Sequence, residues 1–384
     1  MAELVDAVDS KSTGLAHLGS TPSEATNLLI RTILATGLAR GDFDFELPAE
    51  LIAQEPLARR SASRLLLLDR HSGGLADRQI AELPALLAPG DLLIFNDTRV
   101  IPARLKAAKP TGGRIEMLLE RILPEARALV YLRDSRAVRT GMRLSSPGGA
   151  IAVLARHGEH WEVQLPSEPL AFFEQHGSVP LPPYIRRAAA PSDRERYQSV
   201  FARAPGAVAA PTASLHFDAP LLDALRERGI ESSMVTLHVG SGTFAPLRGE
   251  QLDAHRLHSE WYEVAAATVA QIARTRSAGG RVVAVGTTVA RALESAAMAG
   301  AANGAAGGTE GLRAGTGETT LFIRPGFRFS VIDGLLTNFH LPCSTLLMLV
   351  AALAGRESVL AAYAHAVRER YRFYSYGDAM LVLP

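Results

Sequence analysis

Between Val235 and Pro342, short apolar stretches repeatedly run into His, Thr, Ser or Asn beside a glycine or a proline. The segments are Val-Thr-Leu-His-Val-Gly-Ser-Gly-Thr-Phe (235–244), His-Arg-Leu-His-Ser-Glu (255–260), Val-Gly-Thr-Thr-Val-Ala-Arg (285–291) and Thr-Asn-Phe-His-Leu-Pro (337–342). Such a chain is constrained to an α/β sheet whose strand ends stay open, because backbone groups and helix N-termini can face a ligand there without disturbing the core. The pattern predicts an active-site rim.

Length and charge narrow the class. At 384 residues with 47% hydrophobic content, the chain is long for one core and suggests two domains. The longest apolar run, 345–354, falls short of the roughly 20 residues that span a bilayer, and Ser344 before it suits a helix N-cap. Glu3, Asp6 and Asp9 stand where a signal peptide needs basic residues, and Cys343 is the sole cysteine. A reducing cytoplasm, away from membranes, is the expected location. Forty basic against thirty-nine acidic side chains leave a net charge of +1, so a polyanion would have to be held by a local patch.

Along the chain, residues 1–41 read as an extension, and the fold is expected to begin at Asp42 with Pro48 opening a short helix at 49–54. Apolar runs at 64–68 and 91–95 bracket a helix-like 79–87. Residues 99–167 then switch to short segments at 115–119, 128–131, 151–154 and 161–165, spaced by Gly, Pro and charged turns, which predicts an inserted small β-barrel domain. After residue 168 helices (221–228, 266–278, 288–299, 346–354, 358–369) again alternate with strands (233–239, 281–285, 321–323, 379–383). Residues 300–317 read as a flexible loop. The fold class is therefore α/β, a three-layer α/β/α main domain (42–98 and 168–384) interrupted by the barrel.

Period-2 alternation in 233–239 puts Thr236 and His238 on one strand face, opposite Val235, Leu237 and Val239. Gly240 and Gly242 follow, and glycines admit a ligand close to the backbone. Strand 281–285 leads through Gly286 to Thr287 and Thr288 at a helix start, which favours a carboxylate or a phosphate; ordinary capping would leave the same trace. No Walker loop is present. His255, His258 and Glu260 could hold a metal, but their spacing differs from His-Glu-x-x-His and a hydrogen-bonding or acid–base role fits better. Asn338 and His340 alternate with Phe339 and Leu341 before Pro342. Two stretches combine aromatic and basic residues: Leu-Pro-Pro-Tyr-Ile-Arg-Arg (181–187), stiffened by its prolines, and Tyr-Arg-Phe-Tyr-Ser-Tyr-Gly-Asp (371–378).

Together these segments resemble the S-adenosylmethionine:tRNA ribosyltransferase-isomerase family of queuosine biosynthesis. The resemblance runs from Asp42 to Leu383 and rests on Phe-Asn-Asp-Thr-Arg-Val-Ile-Pro-Ala-Arg-Leu (95–105), Pro-Leu-Pro-Pro-Tyr-Ile (180–185), Gly-Ala-Val-Ala-Ala-Pro-Thr-Ala-Ser-Leu-His-Phe (206–217), Thr-Leu-His-Val-Gly-Ser-Gly-Thr-Phe (236–244), Thr-Asn-Phe-His-Leu-Pro (337–342) and Tyr-Arg-Phe-Tyr-Ser-Tyr-Gly-Asp-Ala-Met (371–380). It implies a reaction that moves and isomerises the ribosyl group of S-adenosylmethionine onto the aminomethyl group of a 7-deazaguanine at the tRNA wobble position, releasing adenine and methionine. The co-substrate is S-adenosylmethionine, with no metal. The partner is a tRNA carrying 7-aminomethyl-7-deazaguanine, met by a monomer without an obligate protein partner. The chain departs from the family at Ser214, usually Gly, where a Cβ could crowd a ligand, and at Ser199, Phe201 and Leu257. A methyltransferase using the same co-substrate and a metal-dependent hydrolase are the alternatives.

That reaction asks for a base at the ribose 5′ carbon and an acid for departing adenine. His216, His238, His258 and His340 are the acid–base candidates, with Asp333 beside them. Thr287, Thr288, Gly240, Gly242, Asn338 and Glu260 are the candidates for holding the co-substrate, and Tyr184, Arg186, Arg187, Tyr374 and Tyr376 those for the RNA.

Overall fold

Strands buried on both faces must be apolar at nearly every position, and the runs Leu92–Asn96, Val282–Val285, Gly334–Asn338 and Ala379–Leu383 are buried throughout. In the computed structural model, which describes residues 37–240, 252, 257–302 and 311–384, they form the middle of a nine-stranded sheet. Numbered along the chain, the strands of this sheet are β1 (Arg64–Asp69), β2 (Leu75–Gln79), β3 (Leu92–Asn96), β12 (Glu231–Leu237), β13 (Glu260–Val264), β14 (Val282–Val285), β15 (Gly315–Thr319), β16 (Gly334–Asn338) and β17 (Ala379–Leu383). Their order is β15-β13-β12-β3-β14-β16-β17-β1-β2. Strands β12, β3, β14 and β16 are mutually parallel, whereas β13 and β17 run antiparallel to their neighbours β12 and β16. The carboxyl ends of four strands and the amino ends of β13, β17 and β1 therefore share one edge.

Alternate residues feed the two faces. Leu93, Phe95, Val283, Val285, Leu336 and Leu381 pack with Leu83 of helix α1 (Leu83–Leu86) and Leu221 and Leu225 of α3 (Ala219–Glu227). The residues between them, among them Leu92, Ile94, Val282 and Ala284, are equally buried and face the other layer. Its helices are α4 (Ala266–Ser277), α5 (Thr287–Ala302), α6 (Thr345–Ala354) and α7 (Arg356–Arg368). The three-layer arrangement is the one anticipated.

Between β3 and the return to the sheet, the chain builds a closed barrel of order β10-β7-β6-β5-β8-β9. Its strands are β5 (Arg104–Ala108), β6 (Arg114–Leu123), β7 (Arg127–Arg133), β8 (Arg143–Ser146), β9 (Gly149–His157) and β10 (His160–Gln164). Inward residues such as Met117, Leu119, Val130, Val153 and Val163 alternate with half-buried or exposed ones, and Phe172 and Phe173 of α2 (Pro169–His176) join that core. A short parallel pair, β4 (Thr98–Val100) with β11 (Ala204–Ala207), carries the chain out to the barrel and back.

Some local expectations are corrected. Residues 49–51 form a single 3-10 turn, and 79–87 is the end of β2, a 3-10 turn and the short α1. The strand expected at 321–323 is absent, and its place at the sheet edge is taken by Gly315–Thr319, which has no large apolar residue. Arg40 and Gly41, read as part of the extension, belong to a 3-10 turn with buried Phe43 and to the compact unit Arg40–Pro384. Among the described residues no single helix is long and apolar enough to cross a membrane.

Candidate active site

Asn96, the last residue of β3, is wholly buried and ties three elements together at the open edge. Its Oδ1 accepts from the amides of Leu237 (3.1 Å) and Thr98 (3.1 Å), and its Nδ2 donates to the Leu237 carbonyl (2.9 Å) and to Thr288 Oγ1 (3.3 Å). The ends of β12 and β3 and the start of α5 are thereby held in one place. Gly286 makes the turn from β14 into α5 with φ +102, a conformation costly for other residues, and its carbonyl accepts from Val289 (3.2 Å) and Ala290 (3.3 Å). The amides of Thr287 and Thr288 precede the first helical acceptors and face outward.

Beside this junction lies a cavity of about 280 Å³ whose walls include Thr287, Thr288, Asn338, His340, Tyr184 and Tyr374. That size is near the lower end of the roughly 300–1,000 Å³ typical of small-molecule sites. His340 Nε2 is 2.8 Å from Thr337 Oγ1 and its backbone amide donates to the Tyr363 hydroxyl (2.9 Å), which fixes the ring. Burial pushes its pKa down to about 3, so it is neutral at pH 7. Tyr184 and Tyr374 form an aromatic pair with centroids 4.6 Å apart, and burial raises the Tyr184 hydroxyl to about 12 despite its 2.7 Å bond to Ser375. Tyr374 has φ +71 and its carbonyl accepts from Asn338 Nδ2 (2.9 Å). Cys343, with φ +55, also lines the cavity.

Other candidates surround the cavity without entering it. His216 lies beneath, with Nδ1 2.9 Å from Ser63 Oγ. Burial lowers its pKa to about 4, an effect the Asn338 amide opposes. His238 occupies the other side of β12: its ring stacks on Trp261 (5.0 Å), and Nδ1 is 2.8 Å from Thr98 Oγ1. Burial lowers its pKa, with the Asp97 carboxylate opposing. A Cβ on Gly206 would come within 2.7 Å of its Nε2, so a glycine there is what admits the ring. Glu260 accepts from the Gly240 amide (3.0 Å) and pairs with Arg291, both side chains buried. The Gly240 amide is thus engaged by the protein.

Several expectations are overturned. Asp333 precedes β16 and so sits at the opposite edge, where it accepts from the Val282 amide (2.8 Å) and Arg276 (3.3 Å). It is a structural clamp. His258 is exposed, edge-on to His160 of the barrel (6.1 Å), and lines a separate depression with Glu260 and Arg291. Gly242 and His255 lie outside the described residues, and among those described no group of three His, Cys, Asp or Glu is placed to hold a metal. Tyr376 is buried and donates to Asp193 (2.8 Å), while Arg187 forms a two-pronged ion pair with the same carboxylate (2.6 and 2.8 Å). Both are thus engaged with Asp193 inside the protein, Arg187 remaining partly exposed. Tyr184 and Tyr374 face the cavity, and Arg186 alone of that set is exposed. Ser214 is fully buried and absent from the cavity wall, so its Cβ crowds no ligand there.

Sequence reasoning passed over Asn96, Asp97 and Arg291 as site residues. Asn96 and Asp97 follow four apolar residues, the same signal as the other strand ends, but upstream of the region where that signal was sought. Asp97 accepts from Thr236 Oγ1 (2.6 Å) and from Arg203 (2.7 Å), bracing β12 against the return from the barrel.

A family profile described as queuosine biosynthesis protein matches residues 40–382. The chain belongs to this family. An S-adenosylmethionine:tRNA ribosyltransferase-isomerase of Acidithiobacillus ferrooxidans is 57% identical over 346 residues, covering 89% of this chain and 97% of that protein. One from Xanthomonas euvesicatoria is 54% identical over 349 residues, covering 90% and 97%. The crystal structure of S-adenosylmethionine tRNA ribosyltransferase from Thermotoga maritima matches with a TM-score of 0.51 at 36% identity, covering 89% of this chain and 100% of that one. Within this queuosine-family fold the cavity at the parallel strand ends is the candidate active site.

Two outcomes follow from the geometry. Replacing Asn96 by Asp keeps the acceptor for Leu237 and Thr98 but sets an oxygen against the Leu237 carbonyl, so urea denaturation should show a loss of about 3 kcal/mol. For His216 and His340, the folded pKa lies below the unfolded value of about 6.5, so the neutral form stabilises the fold fully above that pH and less as pH falls toward 4 and 3. Each should cost about 2 kcal/mol by pH 5. His340→Gln should remove roughly half of that acid sensitivity in denaturation curves taken between pH 7 and 5.

Proposed function

We propose that this queuosine-family chain transfers and isomerises the ribosyl moiety of S-adenosylmethionine onto the aminomethyl group of 7-aminomethyl-7-deazaguanine in tRNA, with release of adenine and methionine. The observation that carries this reading is the convergence, in one cavity, of a helix N-terminus, a neutral histidine and an aromatic pair. S-adenosylmethionine presents a carboxylate, a sulfonium and an adenine, and each has a counterpart here.

Thr287 and Thr288 at the start of α5 suit the carboxylate, since unpaired amides and the helix dipole favour an anion. The faces of Tyr184 and Tyr374 suit the sulfonium, as aromatic quadrupoles attract cations. A raised hydroxyl pKa keeps Tyr184 neutral, so the wall carries no phenolate. Positive sulfur acidifies the adjacent C5′ protons, and a neutral imidazole is the form that can accept one. His340 is the base in this scheme because it alone among the candidate histidines lines the cavity. His216 and His238 then act as supports: one beneath Asn338, the other between Trp261 and the returning β11. Glu260, held by Arg291 and Gly240, shapes the rim. The chain acts as a monomer in a reducing cytoplasm, a setting in which the Cys343 thiol stays reduced.

Incubation with S-adenosylmethionine and tRNA bearing the aminomethyl-deazaguanine should yield adenine and methionine in equal amounts. Formation of S-adenosylhomocysteine instead would mark a methyltransferase and sink the proposal. Substrate deuterated at C5′ should transfer label to water with the wild-type chain. His340→Gln should slow ribosyl transfer by at least about 100-fold, the scale of a lost general base, with S-adenosylmethionine affinity changed only a few-fold.

A further inference from the structure

Apart from exposed Arg186, the residues read from sequence as RNA-facing make internal contacts: Tyr376 and Arg187 converge on Asp193, and Tyr184 and Tyr374 turn into the cavity. Arg194 and Arg196 also donate to backbone carbonyls, of Glu174, Ala58 and Leu57. A tRNA substrate still requires cations free to meet phosphate.

Charge is unevenly distributed over the fold. Residues 104–164 carry eleven lysines and arginines against six acidic residues, although the whole chain is only +1. Within the barrel the excess gathers at one end. The connections to the main sheet enter at Arg104, whose amide and carbonyl pair with Ser178 (3.1 and 2.8 Å), and leave after Gln164. The far end is formed by the β5–β6 turn at 109–113, the β7–β8 segment at 134–142 and the β9–β10 turn at 158–159, where Glu159 is exposed. Arg114 opens β6, Arg133 closes β7, Arg136 and Arg139 lie in the segment, and Arg143 opens β8.

All five are exposed, and none forms an ion pair or side-chain hydrogen bond with the described residues. Arginines elsewhere commonly meet a carboxylate, as Arg99 does Glu174 (2.5 Å), Arg127 does Glu162 (2.9 Å) and Arg281 does Asp91 (2.5 Å). Glu116, which faces Arg133 across the strands, turns instead to Arg104 (3.7 Å). Asp134 lies in the same segment and forms no ion pair with the described residues. The segment is also held in shape: Lys109 Nζ donates to the carbonyls of Asp134 (2.9 Å) and Arg136 (2.7 Å), tying the two turns together. Tied loops present their cations with little further ordering to oppose binding.

The barrel end is also in line with the cavity rim. Strand β6 passes the rim at Glu120, 3.1 Å from where a Cβ of Gly240 would stand, and Arg121 pairs with Glu318 of β15 (3.3 Å). From there to Arg114 the strand spans about 20 Å at ~3.4 Å per residue.

We infer that the barrel end formed by Arg114, Arg133, Arg136, Arg139 and Arg143 is the phosphate-binding surface for the RNA whose reacting base enters the cavity. The inference rests on the tRNA reading given above. The surface offers guanidinium groups suited to phosphate, so it contributes affinity and register, and Tyr131 is exposed on the same face of β7 as Arg133.

The test replaces all five arginines by Gln in the full chain and measures affinity for a tRNA transcript at several salt concentrations. Each phosphate contact adds about one unit to the log–log salt slope, so the slope should become shallower by about 3 to 5 and binding at ~0.1 M salt at least about 100-fold weaker. Affinity for S-adenosylmethionine should stay within about twofold, showing an intact cavity. A control replaces Arg226, Arg228 and Arg274, exposed on the α-helical layers away from the rim, and should bind tRNA as the wild type does. Wild-type affinity and slope in the fivefold variant, or an equal loss in the control, would overturn the surface while leaving the enzymatic reading standing. Failure of the unaltered chain to bind tRNA would overturn both. Vesicles with one-third anionic lipid should not bind; binding them as tightly as tRNA, with loss in the fivefold variant, would reassign the surface to membranes.

Discussion

One buried amide side chain organises this molecule. Asn96 has no solvent to fall back on, so its two donors and its acceptor must be satisfied by the protein, and they are satisfied by three different segments. An unpaired amide at that depth would cost about 1–3 kcal/mol for each lost partner. The cheapest arrangement is therefore the one in which β12, the exit from β3 and the start of α5 all stand where the cavity needs them. Binding geometry and fold stability are enforced by the same four hydrogen bonds.

Across the fold, from Asp91 at one edge of the sheet to His340 at the other, the ionisable groups divide into those that are neutralised and those that are paired. Burial alone would raise the Asp91 carboxyl, yet Arg281 and two backbone amides hold it below its usual range. His216 and His340 have no anion beside them and are driven neutral by burial. Among the described residues lining the cavity, Arg40 is the one that carries a fixed charge. A charged ligand entering the cavity meets dipoles and ring faces that need no reorganisation, the condition under which electrostatic stabilisation is most effective.

The sequence was readable wherever period and burial agree. Strands such as Leu92–Asn96 and Val282–Val285 are apolar throughout, and helices such as Ala266–Ser277 have clear boundaries. Gly315–Thr319 was illegible because an edge strand needs backbone pairing and little side-chain burial. Arg104–Ala108 carries only one large apolar residue, so its place in the barrel comes from its partner β6. Alternation correctly grouped Thr236 with His238, but which face borders the cavity depends on what packs there, Trp261 and Gly206 in this case. Asp333 was a different failure. A residue before a strand lies at the opposite edge from a residue after it, so its distance from His340 followed from chain direction alone. Tyrosines misled because they are amphipathic: Tyr376 satisfies its hydroxyl on Asp193 and needs no water.

Cys343 gives the cavity a built-in reporter. The chain has a single thiol, its backbone is pinned by a hydrogen bond from its amide to the Phe43 carbonyl (2.9 Å), and it borders the same space as His340 and Tyr374. A reagent that alkylates thiols therefore has one address in the molecule, on the wall of the candidate site. The rate at which that address is modified turns occupancy of the cavity into a chemical clock, legible by mass alone, without a label or an engineered cysteine.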